Sequence, residues 1–580
     1  MTAHADGYHT VVVEGVRAGQ RYRFVVDDRA FPDPCSRYQP DGPHGPSEVV
    51  NTSAYGWRDG EWGGISLDGL VLYELHIGTF TPEGTLVAAA AKLGHLRSLG
   101  VTAVEIMPLA ECPGRFNWGY DGVNWFAPSH NYGPYDALKR FVDAAHAEGI
   151  GVILDVVYNH FGPDGNYLRE FSGHYFSHQA TEWGDAINYD GEHSQAVREL
   201  VIANACEWIR EFHLDGLRLD ATQSIFDASD RHLVAELTAA ARAAAGARRI
   251  VVIAENEPQH ATQLLAERDG GLGLDAMWND DFHHAAHVAA TGRRDAYYHD
   301  YCGSPQEFVS SARRGFLYQG QYYPWQKQAR GEAMRSPAYH CVAYLQNHDQ
   351  VANSLTGQRL HQLASPGMCR ALTALLLLGP QTPLLFMGQE FHASAPFLYF
   401  ADHGQPLRDL VRRGRAEFLA QFPGAASADG IAALDDPAEE KTWLRCKLDW
   451  RECTPGSVAL RLHRDLLRLR REDPVIRAQG RGGFDGAVLT DTAFLLRWFD
   501  EARGDRLLLV NLGRDVFDRA LPEPLLAPPP GRHWLLHWSS EHACYGGGGA
   551  ADPVPEKGWR LPGQCAMLLI ASPRAASAAA

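Results

Sequence analysis

The chain has 580 residues, 45% of them hydrophobic and 21% charged, which suits a globular protein with a large core and excludes a wholly disordered one. Its formal net charge is −17 with His neutral, and Lys and Arg form no run that would follow a phosphate backbone, so no nucleic-acid partner is expected. The longest apolar stretch, 371–379, is about half of a membrane span, and the N-terminus lacks the basic and apolar regions of a secretory signal, so no membrane partner and a cytoplasmic location are expected. The ten cysteines stand as singletons without a CxxC pair, which favours reduced thiols over a zinc ribbon.

Residues 8–26 (YHTVVVEGVRAGQRYRFVV) read as two strands around a glycine-containing turn, followed by a Pro/Gly-rich exit at 33–50. Two strands do not make a sandwich alone, so this segment must lean on its neighbours. From Leu70 an alternation begins: LVLYELHI as strand, TLVAAAAKLGHLRSLG as helix, VTAVEIMPL as strand, YDALKRFVDAAHAEG as helix and IGVILDVV as strand. Further strands are expected at 214–220, 250–255, 274–278, 341–347 and 383–387. Eight strands with intervening helices predict an α/β fold, a (β/α)8 TIM barrel. The amphipathic stretch SVALRLHRDLLRLRRED (457–473) would close the cycle from outside. After it, AFLLRWFD, DRLLLVNLG and CAMLLIAS, separated by turns, predict a C-terminal antiparallel β-sandwich. The expected division is a partial N-terminal β segment with linker at 1–65, the barrel at 66–479, the sandwich at 480–573 and a frayed tail at 574–580.

Four of the strand segments end in polar residues: ILDVVYNH (153–160), LDGLRLDAT (214–222), IVVIAENE (250–257) and VAYLQNHD (342–349). Parallel barrel strands deliver their last side chains to one rim, so Asp220, Glu255 and Asp349 should share a mouth. A retaining glycosidase needs two carboxyl groups about 5 to 5.5 Å apart, one ionised and one protonated. Neighbouring strands lie about 4.8 Å apart, which suits Asp220 and Glu255, with Asp349 facing them across the mouth. Arg218, two residues before Asp220, points to the same side, would hold the nucleophile ionised and is among the expected substrate-binding residues. His160 and His348 are placed to hydrogen-bond sugar hydroxyls. Any one of these carboxylates alone is as readily a surface ion pair, but three together at strand ends are not. Asp155 and Asn159 read as braces for neighbouring loops. His283 and His287 have the spacing of a metal pair without a third ligand, so no metal is expected. The GGGG run at 546–549 lacks the Lys-Ser/Thr of a phosphate loop, and a G-x-S-x-G elbow is absent.

The four segments resemble the signature regions of the α-amylase superfamily, glycoside hydrolase family 13. The resemblance implies Asp220 as nucleophile, Glu255 as general acid/base and Asp349 as transition-state stabiliser, with no cofactor. Finer features resemble the maltooligosyltrehalose trehalohydrolase family: RYQPDGPHGPSEVV before the barrel, NWGYDGVNWFAPSHNYG (117–133), MWNDDFHHAAH (277–287) and QNHDQVAN (346–353). This likeness implies hydrolysis of the α-1,4 bond next to a terminal trehalose, releasing trehalose and a maltooligosaccharide, and a functional link to the synthase that makes such a substrate. Tyr120 would stack on the sugar at the cleavage subsite. Asp280, Asp281, His283 and His284 would read the terminal trehalose, and Gln223, Phe282, Gln350 and Asn353, in or beside the same segments, complete the expected substrate contacts. Glycogen branching enzymes share the layout but usually carry Glu where Gln350 stands; transfer and a non-catalytic glucan-binding role are the alternatives. The chain departs from the family at its front, where members carry a full β-sandwich: either it starts at a downstream methionine or that domain is shortened.

Overall fold

The computed structural model describes residues 1–4, 7–181, 183–422, 434–518, 521–550, 552–554 and 558–573; the expected tail at 574–580 lies outside them. Eight parallel strands close into a barrel: β1 (Leu72–Leu75), β2 (Ala103–Ile106), β3 (Gly151–Val156), β4 (Gly216–Leu219), β5 (Val251–Ala254), β6 (Ala276–Trp278), β7 (Cys341–Tyr344) and β8 (Thr382–Phe386), with β8 pairing back onto β1. Successive side chains alternate between the barrel lumen and the surrounding helices. Leu72, Ala103, Ile153, Val251, Ile253, Val342 and Leu384 therefore pack together inside, while Tyr73, Val104, Ile106, Val152, Leu154 and Val252 join the outer core. The same alternation sends Glu74, Glu105, Asp155 and Arg218 inward near the carboxyl ends of β1 to β4, where registers Glu74 to Glu105 and Asp155 to Arg218 place them side by side.

Helices cover the outside, among them α1 (Asp136–Ala147), α2 (Ser194–Glu211), α3 (Leu233–Ala244), α4 (Asp280–Thr291), α5 (His348–Ala352), α6 (Pro366–Leu378), α7 (Leu407–Leu419) and α8 (Val458–Glu472). Helix α8 is capped by the Ser457 side chain and buries Leu460, Leu462, Leu466 and Leu467, so the amphipathic stretch packs as its period requires. None of the helices of the described residues is long and apolar enough to cross a membrane.

The C-terminal region forms a five-stranded antiparallel sheet from β9 (Phe484–Val488), β10 (Ala493–Trp498), β11 (Arg506–Asn511), β13 (Arg532–Ser539) and β15 (Cys565–Pro573), in the order β9-β10-β11-β15-β13. One face joins the barrel's outer core, with Phe494 stacked on Phe308 at 5.6 Å. The other face, with Leu495, Leu507, Leu509, Met567 and Leu569, is covered by residues that include the two-stranded ribbon of β12 (Val516–Asp518) and β14 (Trp559–Leu561).

The front of the chain differs from the expected hairpin. Its short strands pair in three separate ribbons, Thr2–Ala3 with His9–Thr10, Arg21–Tyr22 with Ser47–Glu48, and Phe24–Val26 with Arg29–Phe31. The run Val11, Val12 and Val13 is exposed at 53%, 93% and 61%, and among the described residues no second sheet covers it. The segment leans on the loop after β3, where Phe24 and Phe31 contact Phe171, and Arg29 pairs with Glu170 at 3.1 Å. All ten cysteines are unpaired.

Candidate active site

The carboxyl ends of β4 and β5 are joined through backbone. Ala221, directly after Asp220, has φ 39°, a left-handed conformation that a non-glycine residue adopts at a cost of about 1 to 3 kcal/mol. That turn points the Ala221 N–H at Oε2 of Glu255, 3.1 Å away. Thr222 then donates twice to the Glu255 carbonyl, from its N–H at 2.9 Å and its hydroxyl at 2.8 Å.

Arg218 lies fully buried beneath these residues, 4.2 Å above the ring of Trp278. Its Nη1 donates to both oxygens of Asp155 at 2.8 Å and to Oδ1 of Asp220 at 2.9 Å, and its Nη2 donates to Oε2 of Glu255 at 2.8 Å. One guanidinium thus touches three carboxyl groups. Burial pushes Glu255 up to about 8; Arg218 opposes this, and Asp220, Asp349 and Asp280 reinforce it. Burial likewise pushes Asp155 up to about 6 against the pull of Arg218. Arg218 itself stays a cation, since its carboxylates more than offset its burial.

A second chain of contacts enters from β1. Glu74 accepts from Nδ1 of His348 at 2.6 Å and from its backbone N–H at 3.0 Å. Nε2 of His348 lies 2.8 Å from the Tyr120 hydroxyl, which donates to Asp155 at 2.7 Å. Burial works against a charged His348, but Asp349 and Glu74 win and raise it to about 9. Tyr120 reaches this place because Gly119, at φ +107°, lies against Pro108; a Cβ there would come 2.2 Å from the Pro108 carbonyl oxygen. Asn159 donates to Oδ2 of Asp220 at 2.8 Å and is bonded to His160, whose other nitrogen meets the Tyr120 carbonyl at 3.0 Å. Trp183, 53% exposed, stacks on His160 at 4.1 Å.

Asp349 lies in the first turn of α5 with its side chain 40% exposed, and Oδ2 lies 3.6 Å from Nε2 of His348. Gln350 accepts from the hydroxyls of Tyr297 at 2.9 Å and Tyr298 at 3.1 Å, and its amide lies 3.5 Å from Asp280. Asp280 accepts a hydrogen bond from Tyr344 and stays 20% exposed to the mouth. Gln223, half-buried beyond Thr222, accepts from the N–H of Glu257 at 3.4 Å. Asn353 accepts from Arg415 of α7 at 3.0 Å.

Four of the expected trehalose contacts are buried side chains. Asn279 caps α4 through its side chain, accepting from the Phe282 N–H, and of the residues that follow Asp280 stays partly exposed while 281–284 are buried. Asp281 is consumed by Tyr301 at 2.6 Å and the N–H groups of Leu317 and Tyr318 at 2.7 and 3.1 Å. Phe282 packs in the core against Phe308. His283 uses both ring nitrogens, on the Leu345 carbonyl at 2.9 Å and the Tyr298 hydroxyl at 3.1 Å. His284 is buried among Tyr297, Tyr298 and Tyr301. Among the described residues, no three His, Cys, Asp or Glu side chains are arranged to hold a metal ion. Glu74, Glu105, Trp278, Trp183 and Arg415 were not anticipated. The carboxylates in LYEL and AVEI carried the one available signal, an acid on the lumen side of an apolar strand.

The alpha amylase catalytic-domain family matches residues 46–174, and a domain of unknown function (DUF3459) matches residues 481–564. Over 565 residues the chain is 42% identical to a malto-oligosyltrehalose trehalohydrolase of Deinococcus radiodurans, covering 95% of this chain and 90% of that one. The chain belongs to the malto-oligosyltrehalose trehalohydrolase family. A solved putative alpha amylase of Salmonella typhimurium has the same fold at a TM-score of 0.86 and 37% identity, covering 98% of this chain and 94% of that one. A 1,4-alpha-glucan branching enzyme of Burkholderia thailandensis is 33% identical over only 47% of this chain and 38% of its own. The trehalohydrolase relationship thus spans nearly the whole polypeptide, and the branching-enzyme likeness about half of it.

Proposed function

We propose that this chain is a retaining glycoside hydrolase that cleaves the α-1,4 bond next to the terminal trehalose of a maltooligosyltrehalose, releasing trehalose and a maltooligosaccharide. The observation that carries the reading is Arg218 bonded to both Asp220 and Glu255, with Glu255 pushed up to about 8. Asp220 attacks the anomeric carbon while Glu255 gives its proton to the leaving oxygen; Glu255 then takes a proton from water, which displaces Asp220 and frees the sugar. Asp349 binds hydroxyls of the distorted ring, and binding that tightens at the oxocarbenium-like stage raises the rate. Tyr120, His160, Gln223, Asp280, His348, Gln350 and Asn353 contact the sugars in this reading. The barrel at 66–479 carries catalysis, with 480–573 a separate domain, in the cytoplasm, fed by a synthase that makes the trehalose-ended substrate.

Product analysis tests it. Rapid release of free trehalose from a trehalose-ended maltooligosaccharide, with slow attack on maltopentaose, is the expected result. The partial likeness to a branching enzyme favours one second reading, transfer to a sugar hydroxyl in place of water, and new α-1,6 branches would select it.

A further inference from the structure

Arg330 ends a hairpin in which Gln321–Tyr323 pairs with Gln328–Arg330. The hairpin is tied to the loop after β5 by the Gly331 N–H to the Pro258 carbonyl at 2.8 Å, and to the 297 region by the Tyr323 hydroxyl on the Tyr297 carbonyl at 2.7 Å. The Arg330 side chain is 1% exposed and lies 4.9 Å from the ring centre of Tyr323. Its Nη1 is 3.5 Å from Glu257, and its Nη2 is 3.9 Å from Asp281 and 4.0 Å from Asp280.

A buried guanidinium is costly unless carboxylates offset it. Asp281 is already consumed by Tyr301 and two backbone N–H groups, and Glu257, 3.5 Å from Arg330, is 35% exposed. Asp280, 20% exposed, is the member beside Gln350 and Glu255. It faces phenols of Tyr344, Tyr297 and Tyr298, the Gln350 amide, and the carboxyl groups of Glu255, Glu257 and Asp281. Arg330 supplies the positive charge in that company.

We propose that Arg330 is a positioning residue that holds Asp280 as a carboxylate at the mouth, so that the terminal sugar unit meets a hydrogen-bond acceptor there. The inference rests on the trehalohydrolase reading. Burial drives the Asp280 carboxyl up, with Glu257 and Asp281 reinforcing it, while Arg330 and the Tyr344 hydrogen bond pull it down. Without Arg330, Asp280 gains a proton at low pH and stops accepting from a sugar hydroxyl.

The test is KM and kcat against pH for a trehalose-ended maltooligosaccharide. Arg330→Met is expected to raise KM about tenfold or more at acid pH, where a charged acceptor is lost, and progressively less as pH rises. Its kcat should stay within about threefold, and Arg330→Lys should restore the wild-type KM profile. Asp280→Asn should raise KM by a similar factor at every pH and add nothing to Arg330→Met at acid pH. An equal, pH-independent rise in the Met and Lys variants overturns the proposal, as does an unchanged KM in Asp280→Asn, which judges it even if Arg330→Met fails to fold. If the wild type cleaves maltopentaose and releases no trehalose, the functional reading fails, and the same comparison with maltopentaose still decides the role of Arg330.

Discussion

Glu255 accepts a 2.8 Å hydrogen bond from Arg218 and nevertheless has its carboxyl pushed up to about 8. Burial outweighs the guanidinium, and Asp220, Asp349 and Asp280 add to it. A general acid for a glycosidic oxygen must be protonated when substrate binds, and this environment keeps it so at neutral pH. The kcat of the wild type should therefore fall as pH passes about 8, and Glu255→Gln should remove that limb together with most of the activity. An alkaline limb near the ordinary carboxylate range would refute the assignment. Stability carries the same sign. The unfolded chain releases this proton near pH 4.3, so folding becomes less favourable with rising pH between there and about 8. Glu255→Gln should raise the melting temperature more at pH 8 than at pH 4.5.

Asp220→Ala should lose at least about 10⁴-fold in kcat, as loss of a covalent nucleophile does. Asp155 and Glu255 still pair with Arg218 after the change, so the melting temperature should stay within a few degrees. Trehalose release and calorimetry measure the two effects; residual activity within tenfold of wild type would dismiss Asp220 as nucleophile.

Glu74 is tied to the mouth through two hydrogen bonds from His348. Burial opposes the imidazolium, and Asp349 and Glu74 raise it to about 9. A folded-state value above the unfolded value of about 6.5 gives stability that is complete below the latter and is lost as pH rises through about 9. Glu74→Gln should bring the His348 titration down, visible by NMR, and lower kcat about tenfold by releasing Tyr120 and Asp349 from their placement. No change in that titration would show that Glu74 does not set the charge.

Glu105 is buried in the lumen with both carboxyl oxygens unpartnered. Burial pushes its carboxyl well above the ordinary range; Glu74 adds to this and Arg218 opposes it. Since the unfolded chain ionises near pH 4.3, this acid makes the fold progressively less stable as pH rises above that value. Glu105→Leu should stabilise the protein by about 1 to 3 kcal/mol near pH 8 and by less near pH 4, read from urea unfolding. A destabilised variant at both values would mean that Glu105 has a partner worth more than its burial costs.

The barrel was legible because its strands are short apolar runs whose alternation puts one face on the lumen and the other on helices. The positions of Asp220 and Glu255 were legible for a related reason, since each directly follows its strand, whereas Asp349 stands beyond the end of β7, in α5. In WNDDFHH composition does not say which side chains the helix buries: of the five residues from 280 to 284, Asp280 is the one that stays partly exposed. Arg330 left no local signal, for it acts across more than forty residues of sequence on Asp280. Glu74 and Glu105 were within reach, as each lies two residues after a lumen-facing Leu72 or Ala103.

The Ala221 N–H joins the residue after Asp220 to the carboxyl of Glu255, and Thr222 joins it again to the Glu255 carbonyl. These two groups are consequently geared to one another: neither can retreat without dragging its partner's main chain along. Asp220 and Glu255 are thus set relative to one another by main chain before any substrate arrives.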